Sequence, residues 1–399
     1  MDKKYDIVIV GAGPAGLTAA ITSKRVNPNA KVALLEKKDV PGKKLSASGN
    51  GRGNLSNKNC DSLDDVLHFF SEMGIAVRMD EEGRIYPYSE EAKAVSDTLT
   101  KRAKRLGVEL FTECEVSNVE ADPKGGFHIF ILSKQELHAE KVLIATGGKS
   151  FANYGSSGDG FGFARNLGHK ITPLVPALTA IEVAESLKEL KGVRVKGEAS
   201  LFNGGQLIFK EAGEIQFKED SLSGICVMNM SSALPVGEKG RSRDSLATCR
   251  IALNFVPEFS SADLIGFLKS KQEAAEATAF DMIETMVKKP LALAVLKMAG
   301  IQADAQAKDL TLTQLLAIAN HLRGFSLIPT GRKGWKEAQV TKGGVSLDEL
   351  DLETMESKLM NGLYFAGEVT DYDGPCGGFN LNNAWLQGLR AGKDMASHV

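Results

Sequence analysis

Three glycines, Gly11, Gly13 and Gly16, are spaced G-x-G-x-x-G directly after a β-branched run at residues 5–10 (YDIVIV) and directly before a helical stretch at 17–25. In that setting the spacing brings an anion against free backbone N–H groups. The first glycine permits a tight turn, the second lets a pyrophosphate approach the backbone, and the third lets helix and strand pack closely. The helix start, at Pro14 and Ala15, adds unpaired donors and the positive end of the helix dipole. Glu36 ends the next strand, residues 31–36 (KVALLE), 20 residues beyond Gly16. A carboxylate there accepts hydrogen bonds from both ribose hydroxyls and argues against a 2′-phosphate. Lys37 follows it. The implied ligand is a dinucleotide, either NAD or FAD.

A second glycine-rich segment lies near the other end of the chain. Gly367 and Glu368 follow an apolar strand at 362–366 (GLYFA), and residues 374–380 (GPCGGFN) open a helix expected over 381–396. A ligand touched at both ends of a chain is long, or carries a ring that needs its own helix N-terminus. A flavin meets both conditions, because the N1–C2=O edge of its ring turns negative on reduction. Glu368 and Asp373 are acidic candidates for holding the ribityl chain or positioning the pyrophosphate. Residues 43–57 (KKLSASGNGRGNLSN) form a loop of small residues and amides, with Leu45, Gly49, Asn50 and Asn54 beside Lys44 and Arg52. This loop is placed to line the pyrophosphate and flavin, although Lys43, Lys44 and Arg52 also read as solvated charges. Thr146, Gly147 and Gly148 close a further buried strand at 141–145 (KVLIA).

A flavin transfers hydride itself, so the protein has to bind substrate, tune the ring and supply any proton. Cys376, between Pro375 and Gly377 at the expected helix start, is a candidate proton donor or redox partner, since a helix N-terminus lowers a thiol pKa. It has no neighbouring cysteine for a disulfide relay. Tyr372 is a second candidate; Tyr86, Tyr88 and Tyr154 are further acids or substrate walls that no spacing singles out. The six histidines, His68, His128, His138, His169, His321 and His398, lie in no motif that prepares a serine, and His169 reads as structural. Cys60, Cys114, Cys226, Cys249 and Cys376 form no C-x-x-C pair, so neither a zinc site nor a disulfide framework is expected. The glycine cluster at 155–162 follows no apolar strand, which argues against a second resident nucleotide domain. NAD(P)H, as a reductant of the flavin, would visit and leave.

The elements that must position these residues read as an α/β domain with an insertion. The 399 residues suggest two or three domains at roughly 150 residues each. Hydrophobic residues at 43% and charged residues at 25% exclude disorder, collagen and coiled coil as overall descriptions. Helices are expected at 63–73 and 92–106, and strands at 108–119 and 127–132. Beyond residue 171 the pattern turns mainly β, and from 262 to 321 it is helical. The expected division is a discontinuous FAD-binding domain (1–168 and 324–399), a mainly β insert on the substrate side (169–261) and a helical subdomain (262–323). No segment has transmembrane or signal-peptide character, and scattered thiols fit a cytoplasmic compartment. The net charge of -2 gives no argument for nucleic acid. Basic residues do cluster in the insertion: Lys188, Lys191, Arg194 and Lys196, then Lys239, Arg241, Arg243 and Arg250.

GAGPAG (11–16) with Glu36, GKKLSASGNGRGNLSN (42–57), ATGG (145–148), GSSGDGFGFARNLGH (155–169), EAQVTKGGV (337–345) and FAGEVTDYDGPCGGFNLNNAWLQGLRAG (365–392) occur in this order. Together they resemble the bacterial BaiN / aminoacetone-oxidase family of NAD(P)/FAD-dependent flavoproteins, distantly related to the fumarate-reductase and glutathione-reductase flavin folds. The resemblance spans nearly the whole chain. It implies a Rossmann-like FAD-binding domain made of both chain ends, interrupted by a β-barrel-like insert and a small helical subdomain. It also implies FAD contacts at Gly11, Gly13, Gly16, Glu36, Asn50, Arg52, Gly147, Gly367, Asp373 and the run Gly378, Phe379, Asn380, Leu381 and Asn382, with Gly377 a candidate beside them. Val116 would meet adenine through its backbone.

The activities of that family include aminoketone oxidation, reduction steps on bile-acid intermediates and reduction of a uridine in ribosomal RNA. The first expectation is therefore an FAD-dependent oxidoreductase acting on a small organic substrate, by amine or aminoketone oxidation or by ene reduction, without a membrane partner. The alternatives are a flavin-dependent reductase of ribosomal RNA and a non-catalytic flavin-binding protein.

Overall fold

The structure, a computed structural model, describes residues 3–237, 244–273 and 277–399. It divides into two compact units, residues 1–176 with 339–399 and residues 177–338. Lys239, Arg241 and Arg243 lie outside the described residues.

Seven strands form the main sheet of the first unit: β1 (Lys3–Val10), β2 (Val32–Leu35), β3 (Glu109–Phe111), β4 (Val116–Ala121), β5 (Phe127–Ile131), β6 (Glu136–Ile144) and β7 (Leu363–Phe365). Ile7, Val8 and Ile9 of β1 have no exposed surface, as a strand covered on both faces must. The order is β3-β2-β1-β6-β5-β4. β3, β2, β1 and β6 are parallel, while β4, β5 and β6 form an antiparallel meander. One edge of β6 serves two partners in turn: Glu136–Ala139 pairs with β5, and Val142–Ile144 pairs in parallel with β7. The strand expected at 108–119 is two strands in different parts of the sheet, broken where Glu113 takes a left-handed backbone (φ 53°).

Helix α1 (Pro14–Val26) begins three residues earlier than expected. Proline suits a first helical position because the N–H it lacks would have no partner there. Helix α2 (Phe379–Ser397) closes the chain. The two pack so closely that a Cβ on Gly388 would lie 2.5 Å from the Ala15 carbonyl oxygen. Trp385 of α2 is fully buried, edge-on to Phe70 at 5.4 Å, and donates its indole N–H to the Leu55 carbonyl (3.0 Å). The segment expected as a plain loop at 43–57 contains a helical turn (Lys43–Ser46), a 3-10 turn (Ser48–Gly51) and a short strand (Ser56–Asn57).

The second unit is built on a seven-stranded antiparallel sheet. Its two edge strands, Phe325–Leu327 and Pro329–Arg332, are separated by Ile328 alone. A sheet whose opposite edges are joined through one residue has to curl round on itself, which gives a barrel-like form. These strands carry the insert past the boundary expected at residue 324, to 338. The division expected at 261/262 also marks a change of element type rather than of core. Leu201, Ile251 and Leu253 of the sheet share one apolar cluster with Leu264, Leu291 and Leu315 of the helices. Among the described residues, no helix is long and apolar enough to cross a membrane.

Replacing Gly388 by alanine is expected to lower stability by about 1–3 kcal/mol through forced backbone separation. Gly266, inside the helix Ser261–Gln272, has nothing within 4 Å of a Cβ position. Gly266→Ala is expected to raise stability by about 0.5–1 kcal/mol. Urea unfolding of the two variants against the parent checks both signs.

Candidate active site

Because β2, β1, β6 and β7 run in the same direction, their C-terminal ends share one edge of the sheet. Gly11 follows β1, Glu36 follows β2, Thr146 and Gly147 come just after β6, and Gly367 comes just after β7. β1 has β2 on one side and β6 on the other, so loops leaving these ends diverge and open a crevice where the strand order reverses.

The three glycines of the first turn differ in what surrounds them. A Cβ on Gly11 (φ 107°) would lie 2.4 Å from the Ala145 carbonyl oxygen, and one on Gly16 would lie 1.9 Å from the Gly11 carbonyl oxygen. Gly13 has nothing within 4 Å of its Cβ position. Two positions are closed by protein and one opens onto space, at the N-terminus of α1. The Ser48 and Thr146 hydroxyls are buried without a hydrogen-bond partner. An open glycine at a helix start and two unsatisfied buried hydroxyls fit an extended polar ligand such as FAD.

Glu36 is fixed beside this turn: one carboxylate oxygen accepts from the Ala12 N–H (3.0 Å) and the other from the Lys38 N–H (2.9 Å). Burial raises its pKa above the ordinary carboxylate value, while the two N–H groups and Lys37 and Lys38 oppose the shift. Each oxygen keeps a lone pair for a further donor. A groove of about 660 Å³ lies alongside, lined by Lys37, Lys38, Asp39, Glu113, Glu115, Ile131, Leu132 and Ser133. Val116, 7% exposed, follows Glu115 in sequence and pairs with Ile131.

Several candidate ligands are engaged by other parts of the chain. Lys37 pairs with Asp159 (2.5 Å) and Ser157. Lys44 pairs with Glu368 (2.5 Å) and the Ser150 hydroxyl (2.9 Å). The other Glu368 oxygen accepts from Ser150 (3.0 Å) and the Thr341 N–H (2.8 Å). Glu368 thus ties its own segment to three others, at Lys44, Ser150 and Thr341. Arg52 stacks on Tyr86 at 4.9 Å, and Leu45 is buried in the core. Gly49 and Asn50 are both left-handed (φ 56° and 57°), giving the loop a sharp reversal.

The same loop is fastened to the start of α2. The Asn57 amide donates to the Gly377 carbonyl (3.0 Å), and the Ser56 hydroxyl donates to Asn382 (2.6 Å), which donates onward to the Asp61 carbonyl (3.1 Å). The Asn54 amide, oriented to satisfy both groups, bridges the Ser56 carbonyl (3.1 Å) and the Gly378 N–H (3.3 Å). Asn380 brackets Gly374 through its N–H (2.9 Å) and carbonyl (2.8 Å), with Phe379 packed against the same glycine. Ser56, Asn57, Ser150 and Thr341 are not singled out in the sequence; the only signal is their place in or close to the glycine-rich segments.

Tyr372 and Cys376 flank this glycine cluster. The Tyr372 hydroxyl lies 3.0 Å from a Cβ position on Gly374. Burial, then the proximity of Cys60, Asp61 and Asp373, pushes its pKa above the usual phenol value. Cys376 Sγ lies 4.0 Å from Gln339 Oε1. Asp373 lies 4.0 Å from Lys342.

His169 stands between Glu349 (3.0 Å, through Nδ1) and Ser357 (2.9 Å, through Nε2), with Phe365 edge-on at 4.8 Å. This has the composition of a Ser-His-acid triad without its chemistry. Ser357 is 4% exposed, and its oxygen already accepts the Leu359 and Met360 N–H groups (3.0 Å each).

Gly13→Ala is expected to leave stability nearly unchanged and to weaken FAD binding. Gly16→Ala is expected to lower stability itself, by about 1–3 kcal/mol. Flavin titration and urea unfolding of both variants separate the two effects. Burial also holds the His169 pKa below the unfolded value of about 6.5. Its contribution to stability is therefore full above that value and is lost as pH falls through it. Unfolding free energy is expected to drop more between pH 7.5 and 5.5 in the parent than in His169→Gln.

The HI0933-like protein Rossmann domain family matches residues 61–394, and an FAD binding domain matches residues 6–78. The chain is 30% identical to the 3-dehydro-bile acid delta(4,6)-reductase of Clostridium scindens, over 98% of each protein. It is 28% identical to the ribosomal RNA dihydrouridine synthase of Escherichia coli, again over 98% of each. A flavocytochrome c3 fumarate reductase shares its fold (TM-score 0.50, 17% identity, 99% of this chain and 78% of the other). With glycine motifs from both ends of the chain meeting at one edge of the sheet and a family match across most of its length, the chain belongs to the HI0933-like Rossmann-domain family and is an FAD-dependent oxidoreductase.

Proposed function

We propose that the protein reduces a conjugated carbon–carbon double bond in a small organic substrate, with NAD(P)H visiting as the reductant. When bound, FAD supplies the hydride. Gly11, Gly13 and the N-terminus of α1 would hold the pyrophosphate, Glu36 the adenosine ribose, and the backbone around Gly377 and Gly378 the edge of the ring. Free N–H groups at the start of α2 would offset negative charge there.

The choice of reaction rests on the place of Tyr372, whose hydroxyl lies against Gly374 in the glycine cluster that opens α2. A phenol at its ordinary pKa of about 10 is already protonated near neutrality, and burial with the neighbouring carboxylates keeps it so. It is suited to giving a proton and unsuited to taking one from an amine. In the proposed step, hydride adds to one carbon of the double bond and the Tyr372 proton to the other, so two hydrogens are added. The names of the two relatives, a delta(4,6)-reductase and a dihydrouridine synthase, both denote such an addition.

Reduction of a uridine in ribosomal RNA is the second reading, favoured by the dihydrouridine synthase relatives. The first basic cluster of the insert gives it little support. Lys188 and Lys191 face Glu219 (4.0 and 3.2 Å) and Arg194 faces Glu214 (3.8 Å); of the second cluster, Arg250 stacks on Phe202 at 4.8 Å.

Anaerobic stopped-flow spectroscopy separates the half-reactions. Tyr372→Phe is expected to be reduced by NAD(P)H at nearly the parent rate, and to be reoxidised by an enone substrate about 100-fold more slowly or worse. Bleaching of the parent by an aminoketone but not by NADH or NADPH would instead make it an oxidase. Reoxidation by unmodified ribosomal RNA in preference to every small enone would select the RNA reading.

A further inference from the structure

The histidines carry no ligand spacing in the sequence, yet the strand register of the meander brings two of them together. His128 of β5 and His138 of β6 are directly opposed cross-strand partners, with ring centroids 4.3 Å apart. Asp122, just past the end of β4, completes the group. Its backbone N–H donates to the Gly126 carbonyl (2.9 Å) and one carboxylate oxygen accepts the Lys124 N–H (2.9 Å), so the tight turn fixes the side chain. The other oxygen faces His128 Nε2 at 3.2 Å. One ligand atom each from Asp122, His128 and His138 lies within 4.8 Å of the others.

From this geometry we propose that Asp122, His128 and His138 form a binding site for a divalent transition metal of the zinc type. Ligands at 2.0–2.1 Å from a tetrahedral centre stand about 3.3 Å apart. The Asp122–His128 edge already has that length, and His138 closes the set with a side-chain adjustment of up to about 1.5 Å. Imidazole with carboxylate is a donor set that suits zinc, nickel and copper rather than magnesium or calcium. The fourth position would take water, since all three side chains are only partly buried.

The surrounding residues match what such a site needs. His128 Nδ1, the nitrogen turned away from Asp122, lies 2.5 Å from Glu136 Oε1, and the same oxygen is 3.5 Å from His138 Nε2. A carboxylate on the far nitrogen of a ligating imidazole fixes its tautomer and orientation. Glu120, opposite His128 on β4, takes the Asn118 amide at 2.7 Å. Val116 and Asp122 sit at opposite ends of β4, so the metal site is separate from the expected adenine contact. A metal here would clamp the β4–β5 turn to β6.

The test uses tag-free, FAD-loaded protein stripped with a chelator and titrated with zinc chloride by calorimetry. The expected result is one zinc ion per chain, with affinity lost at least tenfold in His138→Ala and in Asp122→Asn, and weakened about tenfold in Glu136→Gln. Cobalt(II) in the parent protein should give visible bands of a four-coordinate nitrogen–oxygen site, a readout that needs no variant. Flavin absorbance and thermal melting without metal establish that each variant is folded. Equal zinc affinity in parent and His138→Ala would overturn the proposal, as would a sulfur-to-cobalt charge-transfer band, which would place the metal on cysteine. Absence of zinc binding to the parent would overturn it as well.

Discussion

Parallel strands point the same way, and the rest of the first unit depends on that constraint. β1 lies between β2 and β6 with its apolar side chains covered on both faces. The pairing forces Gly11, Glu36, Thr146 and Gly367 to emerge along one edge, although more than 350 residues separate the first from the last. No side chain has to be placed individually for this convergence. It follows from strand direction, and strand direction follows from crossovers that return the chain to the same end of the sheet.

What holds the edge in shape is a set of polar braces between segments far apart in sequence. Glu368 binds Lys44, Ser150 and the Thr341 backbone, so one carboxylate joins the ends of the chain. Ser56 and Asn57 are tied to Asn382 and Gly377 in the same way. A buried polar group without a partner is costly, so such groups fix a unique arrangement once each finds its mate. Lys44 and Glu368, candidate ligands by sequence, are held within this frame.

The acid–base character of the site comes from burial more than from sequence motif. Tyr372 keeps its proton because its surroundings disfavour the phenolate. His169, in triad-like company, is confined to structure because its serine is already used by the backbone. The sequence already read His169 as structural, and its neighbours supply the physical reason.

By itself the sequence determined the strand–glycine–helix unit, the acidic residue 20 positions on, the second glycine cluster and the dinucleotide class they serve. These are local features, written in hydrophobic period and in positions that tolerate no Cβ. The β character of the insert was legible for the same reason. Its boundary was not, because strands of three or four residues such as Phe325–Leu327 are too short to show a period. Only the tertiary structure decided that the sheet and helices of the insert share one core, that Glu368 meets Lys44, and that His128 stands opposite His138. Each of those facts is a matter of register or of contact between distant segments. Such pairings are set by the packing of the whole unit, and no local stretch of the chain encodes them.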